Sequence, residues 1–265
     1  MKVNNKVIVV TGGGNGIGRA LVLHLLDKGA IVAAVDISEK ALQETEKLAG
    51  EKKDRLSLHV VDITDILAIE ALPDKVIAKH QVIDGIINNA GVIQPFIKIN
   101  DLDYKKIRFV MEVNFYGTLS MVKTFLPYLL KRPIAHITNV SSMGGFLPVP
   151  GQSIYGASKA AVKLMTEALY SELKDTNVGV TIVLPGGVKT EIMKNSGLGD
   201  INLIFDEKKQ KAYKMLTPEK AAKIIVWGTE KNKFRVCAGN DSKIMDLLYR
   251  FMPKLATRII ANKLS

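Results

Sequence analysis

Seven short apolar runs recur along the chain, each separated from the next by a segment of helical period, and this alternation narrows the fold sharply. The runs are Val7–Val10, Ile31–Val35, Leu56–Val61, Ile83–Ile87, Ala135–Val140, Val180–Leu184 and Phe234–Ala238. Most are continuously apolar, the pattern of parallel strands covered on both faces. Between them, helical spacing predicts helices over Ile17–Lys28, Glu39–Ala49, Ile66–Lys79, Glu112–Leu130, Gln152–Asp175 and Pro218–Gly228. Strand–helix alternation with right-handed crossovers gives a doubly wound, Rossmann-type α/β/α sandwich around a seven-stranded parallel sheet. No Pro/Gly/Ser-rich linker or internal repeat breaks the pattern, so residues 1–265 read as one domain. Two parts stand outside it: 190–216, read as a substrate-binding loop region, and an amphipathic basic tail, 242–265.

Composition removes several alternatives. Of the 265 residues 47% are hydrophobic and 24% charged, ordinary values for a globular chain. No apolar stretch approaches the roughly 20 residues of a membrane span, and the N-terminus enters a strand at once, leaving no room for a signal peptide. The single cysteine, Cys237, excludes an intrachain disulfide and a multi-cysteine zinc site. A cytoplasmic chain is expected. His24, His59, His80 and His136 show no ligand spacing, so no metal is expected. The net charge of +11 comes without a basic block or nucleic-acid motif, and reads as solvated surface rather than a nucleic-acid site.

The stretch TGGGNGIG, Thr11–Gly18, follows the first strand and opens the first helix. In an open α/β sheet the first such turn is the phosphate site. Glycine lets the backbone approach the anion, and the following helix, starting near Ile17, aims free N–H groups and a positive dipole end at it, so Asn15, Gly16, Ile17 and Gly18 are expected to meet the cofactor. Asp36, 18 residues beyond Gly18, ends the second strand. A carboxylate there accepts from both ribose hydroxyls of adenosine and repels a 2′-phosphate. Neither Asn15 nor the following Ile37 is basic, so the expected cofactor is NAD, with an NADPH-preferring reductase as the alternative.

These spacings identify a family. T-G-x-x-x-G-x-G resembles the short-chain dehydrogenase/reductase pattern, from Lys6 to about Ala238, in its compact form of about 250 residues. The resemblance implies that Gly12 turns the chain out of the strand, Gly16 lets the backbone approach the pyrophosphate, and Gly18 packs the helix on the sheet. It also implies that Asp62 and Ile63 contact adenine, that Asn89, Ala90 and Gly91 of NNAG flank the ribose, and that Pro185, Gly186, Val188 and Thr190 hold the carboxamide.

YGASK places Tyr155 and Lys159 four residues apart, on one helix face. Tyrosine is a poor base at its unperturbed pKa of about 10. A neighbouring ammonium and an oxidised nicotinamide would lower it, and Lys159 can also bind the ribose hydroxyls. Ser142 precedes Tyr155 by 13 residues, the family separation, and would steady the substrate oxygen. Ser141 is expected to bond backbone. Asn114 matches the family's fourth member, holding a water in a proton path from Lys159. The implied reaction passes a proton through Tyr155 and a hydride on the pro-S face of the nicotinamide.

Phe96, Met143, Phe146, Val149, Met193, Leu198 and Phe205 are candidate substrate-pocket residues; most are apolar, favouring a hydrophobic secondary alcohol or ketone. In the tail, Ile244, Leu247, Leu248, Phe251, Met252, Leu255 and Ile259 trace one helical face and Lys243, Arg250, Lys254 and Arg258 another, with Pro253 dividing the helix. The apolar face is expected to pack on the body or in a homodimer or homotetramer interface; peripheral contact with an anionic membrane is the alternative. Two rival functions share the fold: a sugar-nucleotide epimerase, whose glycine spacing differs, and an NAD(H)-binding redox-sensing or interaction protein without turnover.

Overall fold

The computed structural model describes residues 1–190, 192–198 and 215–264. Seven strands form one all-parallel sheet: β1 (Val7–Thr11), β2 (Ile31–Asp36), β3 (Leu56–Val60), β4 (Gly85–Asn88), β5 (Ala135–Val140), β6 (Val178–Pro185) and β7 (Arg235–Ala238). Their spatial order is β3-β2-β1-β4-β5-β6-β7. The order reverses between β1 and β4, which creates a crevice beyond the strand ends where ligands bind in such sheets.

The helices are α1 (Gly16–Asp27), α2 (Glu39–Ala49), α3 (Ile66–Glu70), α4 (Leu72–His80), α5 (Tyr104–Met111), α6 (Thr118–Leu129), α7 (Ser153–Glu172), α8 (Ile192–Asn195), α9 (Pro218–Glu230), α10 (Asn240–Phe251) and α11 (Pro253–Leu264). Side chains of a strand alternate between faces, and here each face has its own core. Ile8, Val10, Val32 and Ala34 pack with Leu21, Leu25 and Ile225. Val7, Val9, Ala33 and Val35 pack on the other face with Val76, Met121, Phe125 and Leu129.

Two predicted helices differ from expectation. The one over Ile66–Lys79 is divided at Ala71, because Pro73 sits in the first turn of α4 and has no N–H for the carbonyl of Ile69. The one over Glu112–Leu130 starts earlier, at α5, where Asp103 caps Lys105 N–H at 2.9 Å. Between α5 and α6 runs a π-helical turn, Glu112–Gly117, which includes Asn114. Such turns are rare and concentrate at functional sites.

His59 and His80, distant in sequence, both meet the hydroxyl of Ser57, at 2.8 and 2.7 Å. His136 on β5 is buried against the Thr181 hydroxyl at 2.9 Å, and burial pushes its pKa down to about 3. Below about pH 6.5 the unfolded chain takes up a proton at this position that the folded one refuses. Stability is therefore lost as pH falls from about 6.5 toward the folded value, on the order of 4 kcal/mol by the end of that window. Thermal melts from neutral to acidic pH should show a shallower decline for His136→Asn than for the wild type. Parallel curves would refute the assignment.

Candidate active site

One elongated cavity of about 690 Å³ lies over the sheet's switch point. It runs from Asp36, Ile37, Asp62 and Ile63, past the β1–α1 loop and Asn89–Gly91, to Ser142, Tyr155 and Lys159, with Pro185, Gly186, Val188 and Thr190 along one wall. Gly12, Asn15, Gly16 and Ile17 line it; Gly18 and Asn114 lie behind its surface.

The loop between β1 and α1 is built to expose backbone. Gly12 and Gly16 take φ of +69° and +50°, the left-handed region open to glycine. Gly18 packs so closely that a Cβ there would lie 1.8 Å from the carbonyl oxygen of Gly12. The outward carbonyls are held from behind: Thr45 Oγ1 donates to Gly13 O at 3.0 Å, and Arg19 Nε donates to Gly14 O at 2.8 Å. Gly14, which the motif leaves variable, is also constrained. Its N–H donates to Asp36 Oδ2 at 2.9 Å, and a Cβ there would lie 2.7 Å from Ala41 Cβ. Asp36 Oδ1 accepts from Ser38 N–H at 3.0 Å, while Ser38, not Asp36, caps α2. Two backbone bonds thus hold the carboxylate in place and leave it lone pairs for hydroxyl donors.

The second fingerprint is joined to the first. Thr11 Oγ1 accepts from Asn89 N–H at 3.0 Å and Ala90 N–H at 3.1 Å. Gly91 has a separate reason: a Cβ would come within 3.0 Å of Lys159 Nζ and 3.1 Å of Asn114 Oδ1.

At the other end, Lys159 is 4% exposed and its Nζ donates to Val140 O at 3.2 Å. Burial lowers its pKa to about 8, so it remains largely protonated at neutral pH. Tyr155 is shifted the other way when no nicotinamide is counted. Burial pushes the phenol above its ordinary range, and its hydrogen bond with Ser142 offsets only part of that. The lowered value expected from sequence is not reached in the protein alone, because desolvation of the phenolate outweighs the hydrogen bond. The Ser142 hydroxyl accepts from Gly144 N–H at 3.0 Å, which orients it. Ser141 Oγ donates to the Lys159 carbonyl at 2.7 Å, the backbone bond expected of it.

Asn114 is fully buried. Its amide donates to Val92 O (2.9 Å) and Ser158 Oγ (3.0 Å) and accepts from Val92 N–H (2.8 Å). The side chain is thus spent on clamping the segment after Gly91. Its backbone carbonyl accepts from Thr118 Oγ1 at 2.8 Å.

Two further residues shape the site without having stood out in the sequence. Gln94, 0% exposed, accepts on Oε1 from Ile154 N–H (2.8 Å) and Tyr155 N–H (2.9 Å), and its amide donates to Gly151 O (2.8 Å). It satisfies donors of the first turn of α7 and so fixes the helix end that carries Tyr155. A buried polar residue inside VIQPF was the available signal. Asp241 accepts on Oδ2 from Gly187 N–H at 2.7 Å, bracing the wall segment from the far side of the chain; no motif marked it.

Of the substrate-pocket candidates, Phe96, Met143 and Val149 line the cavity, together with Ile93, Phe109 and Ile192. Phe146 does not; it packs against Tyr249 and Arg235. Met193 and Leu198 are absent from the lining, and Phe205 lies outside the described residues.

The crevice at the switch point, the glycine loop and the Ser–Tyr–Lys grouping define a class of nucleotide-dependent oxidoreductase. The chain belongs to the short-chain dehydrogenase family: the family described as short chain dehydrogenase matches residues 6–200. A putative oxidoreductase, SadH, of Mycobacterium tuberculosis is 36% identical over 260 residues, 97% of this chain and 94% of that one. A 3-oxoacyl-[acyl-carrier-protein] reductase, FabG, of Thermotoga maritima is 34% identical over 192 residues, 72% of this chain and 77% of its own. A Burkholderia phymatum short-chain dehydrogenase/reductase in complex with NAD superposes with a TM-score of 0.86 at 25% identity, covering 96% of both chains. A Burkholderia cenocepacia short-chain dehydrogenase in complex with NADP gives 0.80 at 26% identity, covering 98% of this chain and 99% of that one. The chain is therefore an oxidoreductase that works with a nicotinamide dinucleotide.

Proposed function

We propose that the protein is an NAD-dependent oxidoreductase interconverting an apolar secondary alcohol and its ketone. The observation that carries this reading is the arrangement at the two cavity ends. One offers the Tyr155 phenol beside the Ser142 hydroxyl and the buried Lys159 ammonium; the other offers the fixed carboxylate of Asp36.

A nicotinamide dinucleotide fits what the residues provide: a cavity of suitable length, a glycine loop that no Cβ obstructs, and a helix N-terminus for its phosphates. Bound there, it would supply the hydride acceptor or donor. Asp36 would take the adenosine ribose hydroxyls, Asp62 and Ile63 the adenine, Asn89–Gly91 and Lys159 the second ribose, and Pro185, Gly186, Val188 and Thr190 the carboxamide. At the reacting carbon the chain's own groups handle the proton. Tyr155, held protonated by burial, donates to the carbonyl oxygen in reduction and receives the hydroxyl proton in oxidation. Ser142 hydrogen-bonds that same oxygen as charge develops on it. Lys159, four residues on along the same face of α7, would place a positive charge that favours phenolate when the proton leaves. Asn114 would tie the segment after Gly91 to α7, through its bonds to Val92 and Ser158, and so steady the wall beside Lys159.

Phe96, Phe109, Met143, Val149 and Ile192 give the substrate end an apolar lining, which favours a hydrophobic substrate. NAD is preferred because Asp36 repels a 2′-phosphate. The nearby cation Arg19 does not compensate, since its guanidinium meets Glu44 at 2.9 Å.

The test is a panel of secondary alcohols and ketones assayed with both cofactors by nicotinamide absorbance. Wild type should favour NADH over NADPH by at least about 100-fold in kcat/KM, and Asp36→Ala should bring the two within about tenfold. A wild-type preference for NADPH would overturn the cofactor assignment, and absence of turnover with every substrate would favour a binding protein.

A further inference from the structure

The tail is where the structure departs furthest from the sequence pattern. The side chains that seat it on the body are Met245, Leu248, Tyr249, Ala256 and Ile260, packed against Met143, Phe146, Leu147 and Val149. That set is rotated from the predicted apolar face. Most of the predicted face points away from the protein: Ile244, Leu247 and Phe251 on α10 are 65%, 61% and 78% exposed, and Met252 and Leu255 at the bend are 52% and 39% exposed. The spacing of three and four residues makes one stripe of the first three, continued past Pro253 by the other two.

These helices are fixed in place. Ser242 Oγ donates to Leu184 O at 2.7 Å, Asp241 accepts from Gly187 N–H at 2.7 Å, and Asp246 pairs with Arg250 at 2.9 Å and with Arg235. Both acids of the segment are thereby turned to internal partners. The cations are not: Lys243, Lys254 and Arg258 are exposed and take part in no ion pair among the described residues. Lys243 lies four residues before Leu247, Arg250 three after it, Lys254 next to Leu255 and Arg258 three beyond that. The outer face thus combines large apolar side chains with basic ones and offers no free carboxylate.

We propose that this face docks on an anionic lipid bilayer, lying in its surface. A helix with apolar and Lys/Arg-bearing sides suits the headgroup boundary, where acyl chains take the apolar stripe and anionic headgroups the cations. A second copy is the weaker occupant. Across a two-fold axis the same cations would face one another with no acid to neutralise them. Insertion across the bilayer is not available to these helices, since none among the described residues is long and apolar enough to cross it.

The test uses the full chain and vesicles of phosphatidylcholine, alone or mixed with an equal part of phosphatidylserine, with no need for turnover. Wild type should pellet with the anionic vesicles at least about tenfold more than with the neutral ones, and high salt should release it. The double variant L247S/F251S should lose about tenfold in vesicle binding, and K243E/K254E a similar amount. Both alter exposed positions outside the cavity lining, so unchanged circular dichroism and NADH affinity would confirm intact protein. Failure of the wild type to pellet, or equal pelleting by L247S/F251S, would overturn the proposal. So would light scattering in which L247S/F251S converts an oligomer to monomer without a change in lipid binding; that result would give the face to a second copy.

Discussion

Replacing Tyr155 by phenylalanine is expected to lower turnover by roughly 10³-fold while leaving NADH affinity within about threefold of wild type. The substitution removes one oxygen and keeps the ring, which lies against Gly144 with its Cε1 3.3 Å from where a Cβ would stand. Helix α7 should not move, because Gln94 bonds the backbone N–H of Tyr155 and not its side chain. What disappears is the group that carries the proton, so kcat and kcat/KM should fall together, with KM little changed. NADH fluorescence titration supplies the control. A protein that merely binds NAD(H) would behave identically with and without the hydroxyl. Retention of more than about a tenth of the rate would mean that another group carries the proton.

The sequence was most informative where backbone geometry dictates residue type. The strands were legible because both faces of the sheet are covered, so alternate residues such as Val7, Val9 and Ile8, Val10 had all to be apolar. Asp36, the glycine loop and Asn89–Gly91 were legible because each sits at a strand end over the switch point. The less legible features depend on three-dimensional balance. Whether Tyr155 is raised or lowered depends on how much solvent the fold removes, which no spacing encodes. The role of Gln94 needs the segment after β4 to cross the start of α7, and that of Asp241 needs the turn after β7 to approach the β6 end. Which flank of the tail meets the body was not legible for a related reason. Periodicity finds an apolar stripe, but only the angle at which Arg235 and Ser242 hold α10 decides which flank meets the body.

The glycine loop and the catalytic group are mechanically linked, and Gly18 is where the link is least forgiving. The hydroxyl of Thr11 holds Asn89 and Ala90, the amide of Asn89 donates to Thr11 O at 3.2 Å, and Gly91 makes room for Lys159. A methyl group at position 18 would lie 1.8 Å from Gly12 O and 2.7 Å from Asn89 Nδ2. The Asn89 amide is a side-chain end held by Thr11 O, but Gly12 O is backbone and cannot turn aside, so α1 must lift from the strand end or the loop must open. Overpacking of this kind costs about 1–3 kcal/mol or more, which in a chain of this size lowers Tm by roughly 2–12 °C. The cofactor should feel it more strongly, because the lifted helix withdraws the N–H groups aimed at the phosphates. Gly18→Ala is therefore expected to weaken NADH binding by at least about 100-fold by fluorescence titration, while far-ultraviolet circular dichroism remains near wild type. Gly50→Ala is the control: its φ of +57° carries a strain cost, but nothing lies within 4 Å of the added Cβ and it stands apart from the cavity. It should lower Tm slightly and leave NADH affinity unchanged. If Gly18→Ala binds NADH within about threefold of wild type, the β1–α1 loop does not hold the pyrophosphate, and the cavity must be assigned to a different ligand.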